Sequence, residues 1–199
     1  MVRRALTHAL AALLLAAALA GCSDGGGRNG KTASSTPGAL SAEANAAATG
    51  DIPDTQVFLT LVNRPGGYSI KYPEGWTQRG GGADLTLADK NNLVHITVDR
   101  GPLPSPAEVT VQLARLRRTT TSLTAHAPAK VTVNGRPAVK VTYTTQSAAN
   151  AVTGKRVLLM VDRYVLAAGG RRAVIDLGTP SGVDNVDAYR MMIESFRWR

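Results

Sequence analysis

Cysteine is almost missing from this chain: Cys22 is the one thiol in 199 residues. A single cysteine excludes an intramolecular disulfide and any zinc or iron–sulfur site built from several thiolates. Aromatics are scarce at 5%, and no basic–aromatic interleaving of the kind that stacks bases is present. Nucleic acid is therefore not expected as a partner, although Lys+Arg outnumber Asp+Glu by 23 to 14. That surplus fits either an ordinary solvated surface or proximity to anionic lipid or wall polymer. No Gly-x-Ser-x-Gly elbow occurs, and neither Gly80–Gly82 nor Gly169-Gly170 is followed by Lys-Ser/Thr, so neither glycine turn reads as a phosphate cradle. The longest apolar run, Ala9–Ala20, has twelve residues and is too short to span a bilayer.

Twelve residues is, however, the length of a signal-peptide core, and Arg3-Arg4 precede it. Leu19-Ala20-Gly21-Cys22 follows and resembles the bacterial lipobox at all four positions. The resemblance implies a diacylglycerol thioether on Cys22 and cleavage between Gly21 and Cys22, with residues 1–21 as the signal peptide. Acyl chains contribute about 0.8 kcal/mol per buried methylene, so two chains make a stable anchor. The Arg3-Arg4 pair leaves both general secretion and twin-arginine export open.

Residues 22–50 read as a flexible linker. Of the 28 residues from Ser23 to Gly50, 20 are Gly, Ala, Ser or Thr, and the only large aliphatic is Leu40. Such a stretch buries too little apolar surface to offset its ordering entropy. A flexible chain of that length spans roughly 30 Å.

From residue 51 to residue 199 the pattern is that of one domain. Val57–Asn63 and Tyr68–Tyr72 alternate as strands around Gly66-Gly67. Gly80–Gly82 reads as a turn, Leu85 and Leu87 mark a strand, and Val94, Ile96 and Val98 mark another. Ser105-Pro106-Ala107-Glu108 is a capping box with Pro at the first helical position, followed by Val109, Leu113 and Leu116 on one face. Asn134-Gly135 joins Val131–Val133 to Val139–Tyr143 as a hairpin. Val157–Val161 and Tyr164–Ala168 read as a central strand, and Gly169-Gly170 turns into Ala173–Gly178. A last helix starts near Asp184, with Val186, Tyr189, Ile193 and Phe196 at helical spacing. Hairpin-length links make the sheet mainly antiparallel, so the fold class is α+β with two or more flanking helices.

Gly67-Tyr68-Ser69-Ile70-Lys71-Tyr72-Pro73-Glu74-Gly75-Trp76 resembles the opening of PsbP-like domains. Val133–Ala138 resembles their central hairpin, and Ile193–Trp198 their terminal helix with its Ser-Phe pair. With the lipobox, the whole resembles an actinobacterial lipoprotein of the LpqN type. The resemblance implies a central antiparallel sheet flanked by helices and a docking role. It supplies no catalytic residue.

Candidate chemistry is thin. His8 lies in the signal peptide, His126 precedes a strand, and His95 shares a strand face with Asp99, the one pairing that could start a metal site or a hydrolase base. Asp184 and Asp187 read as helix-start acids. Tyr68, Tyr72 and Trp76 read as core. No cofactor, metal or catalytic residue is expected. Three functions stay open: a non-catalytic docking module held at the outer membrane face through Cys22 and bound to an envelope protein, a carrier of a lipid or small hydrophobe, and an envelope hydrolase using His95. Cys22→Ala should release the protein from membranes with its domain folded. Cell fractionation with circular dichroism checks this, and a membrane-retained variant would refute the lipid anchor.

Overall fold

The computed structural model describes residues 50–120, 122–150 and 152–199. The expected signal peptide 1–21, the lipobox with Gly21 and Cys22, and the linker 22–50 apart from Gly50 lie outside the described residues.

Two sheets carry the described chain. The smaller has the order β1-β2-β11, with β1 (Phe58–Asn63) and β2 (Tyr68–Pro73) antiparallel and β11 (Arg197–Trp198) on the far side of β2. The larger has the order β3-β4-β5-β10-β9-β8-β6, with β7 also on β8. Its strands are β3 (Thr77–Gly81), β4 (Asp84–Asp89), β5 (Asn92–Arg100), β6 (Thr124–Ala125), β7 (Ala129–Val133), β8 (Arg136–Gln146), β9 (Leu158–Ala168) and β10 (Arg171–Pro180). Every strand pairing among the described residues is antiparallel. Helix α1 (Pro106–Leu116) links β5 to β6, and α2 (Val186–Ser195) links β10 to β11. The architecture is the expected α+β domain.

Local chemistry explains most elements. The α1 capping box forms in full: Ser105 Oγ accepts from the Glu108 amide, and Glu108 accepts from the Ser105 amide. Those contacts hold the Glu108 carboxyl below its ordinary pKa, the Ser105 amide acting most strongly. Asn134 and Gly135 both take positive φ, at 52° and 72°, in a two-residue turn between Val133 and Arg136. One expected turn differs. Gly80 and Gly81 belong to β3, and the chain reverses at Gly82-Ala83. β3 is exposed at every position, so it lacks the apolar alternation that marks a strand in sequence.

The large sheet buries both faces. On one face Val94, Ile96, Leu166, Ala173, Ile175 and Leu177 pack against Tyr68 and Ile70 of β2 and Met192 and Ile193 of α2. On the other, Val139, Val141, Val161 and Val165 pack under Val109 and Leu113 of α1. Trp76 and Tyr68 are core, as expected, and Tyr72 is half-buried against the same cluster.

A buried amide cluster holds the N-terminal end of the described chain. Asn185 Oδ1 accepts from the Ile52 amide at 2.8 Å, and Asn185 Nδ2 faces the Gly50 carbonyl at 3.0 Å and the Thr179 hydroxyl at 2.8 Å. Asn92 Nδ2 also donates to Gly50, and Tyr189 donates to the Gly178 carbonyl. Gly50 is thus part of the fold. Asn185→Ala strands the Ile52 amide and thins the contacts of Gly50, so it should cost about 3 kcal/mol. Urea denaturation measures this; a loss below about 1 kcal/mol would mean the cluster is dispensable.

Candidate functional site

The face of the large sheet that carries His95 does not assemble a metal site. His95 Nε2 lies 3.0 Å from Asp84 Oδ1, so its acidic neighbour is Asp84 and not Asp99. Asp99 stands four residues along β5, about 13 Å away in an extended strand, and is held through both oxygens by Arg172. His126 follows β6, four strand positions from β5 in the order β5-β10-β9-β8-β6, or about 19 Å across the sheet. Among the described residues no group of three or more metal-ligating side chains converges. The structure brings Asp184 and Asp187 to the start of α2. Asp184 Oδ1 accepts from the Val186 amide, and Asp187 pairs with Arg190. That is the helix-start role read from the sequence.

Sequence reading passed over the most buried charges in the domain. Arg163 and Asp176 stand directly opposite on β9 and β10 and form a bidentate pair, with both hydrogen bonds at 2.7 Å. Burial works to lower the Arg163 pKa, and the hydrogen bonds and charge of Asp176 outweigh it, so the guanidinium stays charged. Tyr143 on β8 lies under this pair with its ring centroid 5.4 Å from the guanidinium carbon, and burial, then the Asp176 charge, pushes its phenol up. The only signal in the sequence is three charges, Asp162, Arg163 and Asp176, inside otherwise apolar strands. Asp162 turns to the opposite face, where Lys140 binds it at 2.8 Å.

The exposed edges of the sheets differ in how they are defended. Edge strands are normally blunted by charge, proline or a bulge. β3 carries Arg79 and two glycines, and β7 carries Lys130. β1 has none of these: from Thr55 to Asn63 no residue is charged. It pairs with β2 on one side and, among the described residues, with nothing on the other. Val57, Leu59 and Val62 are exposed at 56%, 39% and 45%. The β1–β2 turn is fixed by close approach: a Cβ at Gly66 would sit 2.4 Å from the Gly82 carbonyl oxygen, and Asn63 Oδ1 accepts from the Gly66 amide. Among the described residues the outer side of β1 is therefore unpaired and carries no charge.

No protein-family model matches the chain, and no curated protein matches it in sequence. Solved structures do. The solution structure of cyanobacterial PsbP (CyanoP) from Synechocystis aligns with a TM-score of 0.53 and 13% identity, covering 76% of this chain and 99% of that one. This domain has a PsbP-like fold. A crystal structure from Bacteroides thetaiotaomicron aligns at TM-score 0.48 and 12% identity, over 70% of this chain and 48% of that one. The Saccharomyces cerevisiae Ran-binding protein Mog1p aligns at 0.44 and 12%, over 72% of this chain and 96% of that one.

The Arg163–Asp176 pair reads as a packing element. Asp176→Leu alone should cost about 4 kcal/mol, because it leaves Arg163 buried and unpaired. Arg163→Met with Asp176→Leu should recover most of that loss. Equilibrium unfolding of the two variants decides it: a double variant no more stable than the single one would overturn the packing role.

Proposed function

We propose that this chain is a docking module of the cell envelope: a PsbP-like domain of LpqN-type character, lipid-anchored at Cys22 on the extracytoplasmic face, that binds a protein partner without catalysis. The bare β1 edge carries this reading. A partner strand laid along it would satisfy the outward backbone groups, while exposed Leu59 and Val62 supply apolar contact. The lipobox supports the anchor and the location.

A second reading, a carrier of a lipid or small hydrophobe, has one observation in its favour. A hollow of about 620 Å³ opens at the ends of the strands, lined by Pro102, Leu103, Pro137, Ala167 and the Gly169-Gly170 turn. It lies at the sheet end, whereas the space between sheet and α1 is filled by Val109 and Leu113. A hydrolase has less support: the exposed His95–Asp84 contact includes no serine or cysteine nucleophile.

A photoreactive residue at position 59 should crosslink to one envelope protein in intact cells, and Thr60→Glu, which places its charge opposite Lys71, should abolish that product while changing stability by less than about 0.5 kcal/mol. A photoreactive residue at Val111, on the exposed side of α1, serves as control. Equal crosslinking from positions 59 and 111 would sink the proposal.

A further inference from the structure

The register of β5 against β10 sets Arg100 directly opposite Arg171. Like charges at opposed ladder positions are destabilising, and among the described residues no Asp or Glu side chain pairs with either arginine. Arg171 is fixed in place. Its Nη1 donates to the Gly67 carbonyl at 3.3 Å and its Nη2 to the main-chain oxygen of Arg199 at 3.0 Å, with the guanidinium carbon 4.7 Å from the Trp198 ring centroid. These contacts use two of its five N–H groups and leave three. Arg100 is exposed, and its side chain has no ion pair or hydrogen bond among the described residues. The adjacent carboxylate, Asp99, is occupied by Arg172. Both arginines line a cavity of about 530 Å³ whose rim includes Gly66, Gly169 and Gly170. A Cβ at Gly169 or Gly170 would meet nothing within 4 Å, so that part of the rim is open backbone that a ligand can approach closely.

We propose that this cavity binds a phosphate group, held between the guanidinium forks of Arg100 and Arg171. Guanidinium matches phosphate oxygens in a planar, bidentate way, and an anion placed there removes the repulsion that the register imposes. The same Gly169-Gly170 turn borders the apolar hollow at Leu103 and Pro137, so the phosphate can belong to a soluble ester or to a lipid headgroup whose chains lie in that hollow. The site is distinct from the β1 edge, and its failure leaves the docking reading standing.

Amide chemical-shift titration of the full chain at constant ionic strength tests this with inorganic phosphate, glycerol phosphate and dihexanoyl phosphatidylglycerol below its micelle concentration. Saturable shifts are expected at Gly169, Gly170 and Arg171. Arg100→Gln should weaken binding about tenfold or more, as loss of one charged hydrogen-bonding partner does. Arg100→Lys should recover part of it. Lys155→Gln, in the loop at the opposite end of β9, should change nothing. Equal affinity for all three probes assigns the ligand as a soluble phosphate, and preference for the short-chain lipid assigns it as a headgroup; either supports the site. Absence of saturable shifts with every probe, or equal weakening by Arg100→Gln and Lys155→Gln, would overturn it.

Discussion

The pairing of β10 with β5 on one side and β9 on the other is the constraint on which the rest of this structure depends. Side chains alternate across a strand, so the register decides which of them enter which core. In the observed register Ala173, Ile175 and Leu177 enter the cluster shared with β2 and α2, while Val174 and Asp176 face the α1 side. A slip of one residue would bury Asp176 among aliphatics and strand Arg163 on the opposite face. The ion pair therefore has a specifying role that its modest net energy does not express: it makes the wrong register far worse than the right one. The same register places Arg100 against Arg171, so one alignment determines both the core and the basic cavity.

Much of the fold is legible because its signals are local. The capping box of α1, the positive-φ Asn134-Gly135 turn and the alternation of Tyr68–Tyr72 each depend on a few adjacent residues. What was illegible depends on distant pairing. β6 and β11 are two residues each and exist because β8 and β2 offer them an edge. β3 is an exposed edge with no apolar face to reveal it. His95 and Asp99 lie on one strand face, but the contact of His95 is with Asp84, which the β4–β5 hairpin brings across the strands. The basic cavity was invisible for the same reason, since only the β5–β10 register makes neighbours of Arg100 and Arg171.

A PsbP-like scaffold is shared with CyanoP at 13% identity, a level at which architecture persists while site residues do not carry over. The surface of this chain carries one uncharged edge on the small sheet and one arginine-rich end on the large one.

The amide cluster around Gly50 has a directional consequence. Asn92, which holds Gly50, begins β5, and Arg100 ends it. Pro180, against which Gly50 packs, ends β10, and Arg171 begins it. The strands run roughly 27 Å between those ends. The large sheet therefore has two unlike poles: a heel pinned by amides at Gly50 and a charged toe at Arg100 and Arg171.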